Sequence, residues 1–328
     1  MPHARMLRRA LSIGILALGT LALVQSLAWR GAAFPGFFVM PNRVIPSAGL
    51  SDWPGVATGR PLYQQVLVAV DDRPAAAAAD AYRAAGDAGP GGAVRYTFTD
   101  AGREETRTVP ARTFTPRDHL LVFGAYFVTG LAYLLLAAIA GERWELGAAF
   151  RGFAVFGWIA AVFAFTAIDL YGRGTFFRLH VLAETGLVAG ATQLALVCPR
   201  DLLARRPRLR SVIWGGTLGL ALAYELFLYD PRAYVVFHNA TQALAAIPVL
   251  AFATGLAFFL GRAAAEARRR GMRACLAGAM VGIVAPAFVF GLSGLSGGLV
   301  SVTAAAWLGF VFPVLSLPAV RSRSVAAA

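Results

Sequence analysis

The sequence contains no lysine, and all 30 of its basic residues are arginine. Without lysine the chain cannot form a retinal or pyridoxal Schiff base, and it lacks the lysines of phosphate-binding loops and protein kinases. Two cysteines, Cys198 and Cys275, are too few for a disulfide scaffold or a CxxC zinc site. Charged residues make up 14% of the chain, against about 25% in an average soluble domain. These shortages exclude an ordinary soluble protein and a disordered chain.

Long apolar stretches are abundant instead. A helix needs about 20 mostly apolar residues to cross a bilayer, and eight stretches of the chain meet that requirement. They are Ala10–Trp29, His119–Ala140, Gly152–Tyr171, Phe176–Cys198, Ser211–Tyr229, Ala233–Gly261, Cys275–Leu295 and Gly297–Val320. The first follows a basic segment, as a signal peptide would, but its apolar run is long and no clear cleavage site follows it. We therefore predict a mainly α membrane protein with eight transmembrane helices, the first of them retained.

The arginine clusters predict how these helices are oriented. Segments 5–9, 200–210 and 262–273 are rich in arginine, whereas the short loops at the other ends of the helices hold few. Because cytoplasmic loops carry an excess of basic residues, we expect these segments and both termini to face the cytoplasm. The net charge of +13 is then explained by topology and by attraction to the lipid bilayer, so no nucleic-acid partner is expected.

The predicted spans divide the chain into four parts. An N-terminal transmembrane helix occupies residues 1–30, and a seven-helix transmembrane bundle occupies residues 118–320. Between them, residues 31–117 hold no span, carry roughly balanced charge and are long enough for one small folded domain outside the membrane. Residues 321–328 are left as a short cytoplasmic tail.

Residues 31–117 have the pattern of a small α+β domain. The run 66–70 is rich in β-formers and ends in a turn, and the alanine-rich segment 75–88 favours a helix. Residues 93–99 alternate between polar and apolar side chains, and the turn residues 100–103 predict a hairpin with the strand that follows. The predicted order is strand, helix, strand, strand.

Two segments of this domain resemble bacterial PDZ-like domains. VLVAVDDRPA at 66–75 resembles their strand and turn, with Asp72 in place of the usual glycine, and GPGGAVRYTFTDAGREETRTV at 89–109 resembles their hairpin. The resemblance implies a PDZ-like fold whose strand edge accepts a peptide strand. Gly36, Phe37 and Phe38 would then stand at the carboxylate-binding loop. The alternative is a spacer or a homodimerisation domain without a ligand.

Five ionisable residues within the predicted spans are candidate ligand-binding residues. Such residues are costly in a membrane and point to function by default. They are Asp169, His180, Glu184, Glu225 and His238. Topology places all five in the outer third of the bundle, so we predict a pocket for a polar ligand or a proton below the outer domain. The alternative is that they simply extend to the water interface. His180, Glu184 and His238 could also ligate a metal, but we predict no metal site and no cofactor.

The bundle resembles the membrane modules of bacterial sensor histidine kinases. GATQLALVCPRDLLARRPRLR at 190–210 and GFVFPVLSLPAVRSR at 309–323 are similar to recurrent segments of those modules, with Gln193 where a histidine is usual and Cys198 where phenylalanine is usual. The resemblance implies a sensory input module in the bacterial inner membrane, which binds a peptide or small molecule outside and relays a change in helix packing. A kinase module is absent from the sequence, so a separate or lost cytoplasmic transmitter protein is implied.

No enzyme activity is expected of this chain. It has no HExxH motif, and although Gly291–Gly294 matches G-x-S-G, no histidine follows it to serve as a base. A transporter or a membrane-embedded binding protein remains the alternative to a sensor. We see no inverted repeat of the kind found in many transporters.

Overall fold

The computed structural model describes residues 2–57, 62–100, 102–263, 266–295 and 302–322. Most of this part of the chain is helical, and a small sheet region lies between the first and second long helices. Six helices are long and apolar enough to cross a membrane: His3–Trp29, Pro116–Glu142, Ala148–Asp169, Phe177–Val197, Pro231–Leu260 and Arg268–Ser293. The expectation of a mainly helical, multi-pass membrane protein is confirmed at this level.

Two of the eight predicted spans do not belong to these six. Helix α8 (Pro207–Leu226) is long enough but is less apolar than the six. The span predicted at Gly297–Val320 begins outside the described residues and continues as the short helices α12 (Thr303–Ala306) and α13 (Val311–Arg321). The predicted tail likewise lies outside the described residues beyond Ser322. The count of eight spans stays a prediction.

The long helices pack as a bundle with short connections. In chain order they are α1 (Pro2–Ser26), α4 and α5 (Pro116–His119 and Ala125–Glu142, joined by the π-helical turn Leu120–Gly124), α6 (Ala148–Asp169), α7 (Phe177–Val197), α8, α9 (Pro231–Leu260), and α10 and α11 (Glu266–Ala279 and Ala285–Leu295, joined by the π-helical turn Met280–Val284). Small residues let them approach closely. A Cβ atom on Gly157 of α6 would stand 2.9 Å from the carbonyl oxygen of Tyr133 on α5.

We define the sheet region as residues 31–117, and its described residues form six strands and the two helices α2 and α3. They are β1 (Ala33–Phe34), α2 (Pro54–Ala57), β2 (Val66–Val70), β3 (Arg73–Pro74), α3 (Ala78–Ala88), β4 (Ala93–Asp100), β5 (Arg103–Pro110) and β6 (Arg112–Thr113). Four strands form one antiparallel sheet in the order β3-β2-β4-β5, and β1 pairs with β6. The strands β2, β4 and β5 and the helix α3 lie where the sequence predicted them.

Strand alternation builds the core of the sheet region. Val94, Tyr96 and Phe98 of β4 are buried on one face, where they meet Leu67 of β2 and the alanine-rich face of α3. Their neighbours Arg95 and Thr97 lie on the other face, and Arg95 is exposed. The core is therefore built where one face of the sheet packs against α3.

The turn between β2 and β3 consists of Asp71 and Asp72. Both have positive φ angles, 46° and 62°, as a two-residue hairpin turn of this hand requires. Asp71 Oδ1 accepts a hydrogen bond from Arg95 N at 2.9 Å, and the carboxylate of Asp72 pairs with the Arg95 guanidinium. These contacts hold the turn without the glycine that usually stands at Asp72.

A cluster of aromatic rings joins the sheet region to the helices. We call it the aromatic junction; it consists of Trp29, Phe34, Phe38, Trp53, Phe114, Phe123 and Tyr171. Phe38 is fully buried at its centre and stacks on Tyr171 with ring centroids 4.4 Å apart. Beside it the buried Asp118 accepts hydrogen bonds from Trp53 Nε1 at 3.1 Å and from Arg112 Nη2 at 3.2 Å. The sheet region is thus fixed to the helix that begins at Pro116.

Candidate functional site

The sheet region meets the helices a second time around a cavity of about 70 Å³, which we call the junction cavity. It lies at the ends of the helices where α6 stops and where α7 and α9 begin. Its sheet-region wall is Met40, Val44, Ile45, Pro46, Ser47, Ala48, Tyr63 and Gln64. Its helical wall includes Tyr126, Phe163, Tyr171, His180, Tyr234, His238 and Gln242. Two of the five predicted ligand-binding residues, His180 and His238, therefore line it.

Glu184 lies directly behind this wall and faces His238, which is part of the wall. Glu184 Oε1 on α7 lies 2.7 Å from His238 Nδ1 on α9, within ion-pair distance. The alignment of these two atoms is poor for a hydrogen bond, and within the described residues neither has another hydrogen-bond partner. Tyr224 of α8 donates a hydrogen bond to Glu184 Oε2 at 3.3 Å. One buried carboxylate thus contacts side chains from two other helices.

The two histidines are oriented by polar neighbours. His180 Nδ1 lies 3.0 Å from the Thr166 hydroxyl, and its ring stacks on Phe163 at 4.6 Å. His238 Nε2 lies 2.8 Å from Gln242 Nε2 one helical turn further along α9. Glu184 follows His180 by four residues, so both lie on one face of α7. His180, Glu184 and His238 form one cluster, which we call the His–Glu–His cluster.

Asp169 and Glu225 lie at the same ends of the helices but serve other contacts. Asp169 ends α6, and its Oδ2 accepts a hydrogen bond from Phe176 N at 2.9 Å, which closes the loop into α7. Glu225 Oε2 lies 3.5 Å from Arg178 Nη1, whose side chain is 68% exposed. The structure therefore brings three of the five predicted residues together and assigns the other two to a loop and a surface pair.

Gly36, Phe37 and Phe38 are buried in this structure. Phe37 packs on Tyr96 at 5.0 Å inside the sheet-region core, whereas Phe38 lies in the aromatic junction. The backbone N–H and carbonyl of the next residue, Val39, are both hydrogen-bonded to the Tyr82 hydroxyl, at 2.7 and 3.0 Å. The two phenylalanine side chains are therefore not presented to a peptide, and peptide binding here stays a prediction.

Sequence reasoning missed the loop that covers the cavity. Tyr63 and Gln64 belong to the sheet region, and Gln64 Nε2 donates to Asn239 Oδ1 of α9 at 2.7 Å. Burial raises the pKa of Tyr63 to about 12. Gln64 adopts a positive φ of 62°, which is unfavourable for a residue other than glycine and is held by the contacts around it. Nothing local in the sequence marks this loop, although Gln242 could have been found from its four-residue spacing to His238.

The described residues contain no group of three or more histidine, cysteine or carboxylate side chains placed to hold a metal ion. The His–Glu–His cluster places one buried carboxylate beside two imidazoles. Its chemistry is that of a buried carboxylate beside imidazoles, which bind protons or cations.

Comparison with known protein families, with curated proteins and with solved structures finds no significant match. The resemblances to PDZ-like domains and to sensor-kinase membrane modules are therefore not tested by any relative. The chemistry and position of the junction cavity are what support a function for this chain.

Proposed function

We propose that this protein is the sensory input module of a bacterial membrane signalling system and that the junction cavity is its sensing site. The observation that carries the proposal is the composition of the cavity wall, which is shared between the sheet region and the ends of α6, α7 and α9. A proton or ligand taken up there touches both regions at once. Binding can therefore change how the sheet region sits on the helices.

The relay follows from the contacts of Glu184. This carboxylate, on α7, contacts Tyr224 on α8 and His238 on α9. A change in its charge alters the attraction within both contacts, which join three helices, and packed helices respond by shifts of about 1–2 Å. Each of these helices runs from the cavity to the opposite end of the bundle. The partner that reads the shift is proposed to be a cytoplasmic transmitter protein.

The topology needed for this role is part of the proposal. We propose eight spans, with α8 and the segment around α13 completing the six apolar helices, in a bacterial inner membrane with both termini cytoplasmic. The sheet region would be a PDZ-like domain outside the membrane. Reporter fusions at residues 85, 205 and 266 are expected to report outside, inside and inside. An inside result at residue 85 would contradict the topology.

The relay is tested by measuring distances between spin labels at Arg208→Cys and Arg270→Cys, two exposed positions in arginine-rich segments. The native Cys198 and Cys275 are buried and need not be removed. Glu184→Gln removes the charge behind the cavity wall and is expected to move the label distance, since helix shifts are about 1–2 Å. Glu225→Gln, a carboxylate at the same helix ends but outside the cavity, is the matched control and should leave the distance unchanged.

An unchanged distance in Glu184→Gln would contradict the sensory role. A transporter, the alternative function, would instead show accumulation of a substrate in proteoliposomes that carry the full chain. For a transporter, Glu184→Gln should abolish this accumulation and leave the label distance unchanged.

A further inference from the structure

We propose that the junction cavity binds a small organic ammonium ion whose charge is balanced by Glu184. This inference rests on the proposed function and deepens it, because it names the chemical class of the ligand. Three observations carry it: a buried carboxylate whose one basic neighbour among the described residues is a histidine, an aromatic wall whose described residues include no arginine, and the size of the cavity.

Among the described residues, Glu184 has no arginine as a partner. The residue is 5% exposed, and within the described chain the only basic group within 4 Å of its carboxylate is the His238 imidazole. Arg178, the arginine of α7, lies 3.5 Å from Glu225 and pairs with that carboxylate instead. An ionised carboxylate is costly to bury without a paired cation. The site therefore has a place for one positive charge, carried either by a proton on His238 or by a ligand.

The wall of the cavity suits a cation. Rings of Tyr63, Phe163, Tyr171 and Tyr234 line it, and no arginine is among the lining residues that the structure describes. Aromatic faces attract ammonium ions, and the attraction strengthens when the ion is removed from water. A ligand anion would be repelled by these ring faces and by the nearby carboxylate, and no arginine among the described lining residues would offset that repulsion. The charge of the preferred ligand is therefore positive.

The volume limits the size of the ligand. The cavity measures about 70 Å³. An apolar protein cavity of about 150 Å³ accommodates benzene, which has six carbon atoms. Scaling by volume leaves room for about three non-hydrogen atoms, which matches ethylammonium. A larger amine would need to leave its remaining atoms outside the cavity.

Ethylammonium and the proton compete for the same charge balance. When His238 is protonated, the pair it forms with Glu184 is neutral overall and no longer favours a second cation. When His238 is neutral, Glu184 leaves one negative charge for the ligand. The other charged or titratable groups that face this pair are His180, Tyr63, Tyr224 and Tyr234. Binding should therefore strengthen as pH rises through the range where imidazole loses its proton.

The experiment titrates the full chain in phosphatidylcholine nanodiscs with ethylammonium chloride, at ionic strength held constant with sodium chloride. Thermal-shift titration gives the apparent Kd at pH 5.5 and pH 8. We expect saturable binding at pH 8 and at least several-fold weaker binding at pH 5.5, because a protonated His238 already balances the charge of Glu184. Ethanol, the neutral molecule of matching size, should not bind.

Three variants test the assignment to Glu184. Glu184→Gln should weaken ethylammonium binding at pH 8 by at least about tenfold, since its charge is removed, whereas Glu225→Gln should leave binding unchanged. His238→Gln should retain binding but lose the dependence on pH. This variant tests the site independently if Glu184→Gln fails to fold. The proposal is overturned if ethylammonium does not bind, if ethanol binds equally well, or if Glu184→Gln binds like the original chain.

The outcomes separate this inference from the proposed function. Ethylammonium binding without any change in the spin-label distance would support the ligand class and contradict the sensory relay. If the label distance moves in Glu184→Gln but ethylammonium does not bind, the sensory relay is supported and the ligand class is contradicted.

Discussion

The two contacts between the sheet region and the helices differ in kind. The aromatic junction is a dry cluster of rings, with Phe34, Phe38, Trp53, Phe114 and Phe123 all fully buried. The junction cavity, on the other side of the same interface, leaves a space of about 70 Å³ among tyrosine, histidine and glutamine side chains. One contact fixes the two regions together, and the other leaves room for a ligand or a change of charge.

The difference shows where the molecule can respond to a signal. Close-packed apolar groups have no alternative arrangement that avoids cavities, so they resist change. A buried polar cluster with incompletely satisfied atoms, such as Glu184 Oε1 and His238 Nδ1, has alternatives because a proton or a ligand can complete it. We therefore expect the aromatic junction to determine stability and the junction cavity to determine response. The predictions below test that division, from the largest expected effect to the smallest.

Phe38→Ala should cause the largest loss of stability. The ring is fully buried and contacts six aromatic neighbours, so its removal should lower the free energy of unfolding by about 3–5 kcal/mol. Thermal and denaturant unfolding of the full chain in detergent micelles measure this. Phe288→Ala, at a ring that is 65% exposed on α11, is the control and should change little. Equal losses in the two variants would contradict the special role of the junction.

Asp118→Ala tests the polar support of the aromatic junction. It removes the acceptor of four donors, namely Trp53 Nε1, Arg112 Nη2 and the backbone N–H and hydroxyl of Thr115, which should cost about 1–3 kcal/mol. Asp52→Ala, at a carboxylate that is 49% exposed and pairs with Arg117, should cost less than about 1 kcal/mol. Both variants are compared by the same unfolding measurement. Equal losses of unfolding free energy in the two variants would contradict a stabilising role of Asp118 in the aromatic junction.

Local sequence patterns were enough to predict the separate elements on either side of the interface. The run Val66–Val70 and the alternation from Ala93 onward predicted β2 and β4, because burial on one face of a sheet imposes a period of two. The apolar lengths predicted six of the long helices in the same way. The pairing of Ala33 with Thr113 was not predicted, because it joins two-residue strands that are far apart in sequence.

The site was predictable only in part for the same reason. His180 and Glu184 are four residues apart on one helix, so their common face follows from helical geometry. That His238 rather than Glu225 completes the cluster depends on how α7, α8 and α9 are rotated against one another, which no local pattern specifies. Tyr63 and Gln64 reach the cavity through the tertiary fold of the sheet region. Contacts between distant segments are thus what sequence reasoning could not supply.

Acid should lower the stability of the sheet region through protonation of Asp80. Asp80 Oδ2 accepts hydrogen bonds from the backbone N–H groups of Ala77 and Ala76, and these bonds hold its pKa below the usual value of 3.8. A lowered pKa means that the stabilisation, about 1 kcal/mol for such a contact, is complete above the ordinary pKa and is lost as pH falls through the folded value. Asp80→Asn should therefore remove part of the loss of stability seen below about pH 4.

The measurement is the melting temperature of the full chain between pH 3 and pH 8, with Asp87→Asn, at an exposed carboxylate on the same helix, as the control. A difference between original chain and Asp80→Asn that persists unchanged down to pH 3 would contradict the assignment. A transition that is the same in the original chain and in Asp80→Asn would belong to groups other than Asp80.

Gln64→Gly should have the smallest effect on stability, because two changes oppose each other. Glycine adopts the positive φ of 62° without strain, which stabilises by about 1 kcal/mol, but the hydrogen bond to Asn239 is lost, which costs about the same. Asn239→Ala loses the same bond without relieving the backbone, so it should destabilise by about 1 kcal/mol in the unfolding measurement. If Gln64→Gly were as damaging as Asn239→Ala, the left-handed backbone would not be strained. A net gain in stability would mean that the bond contributes little and that the loop over the cavity is held by Tyr63 and its neighbours instead.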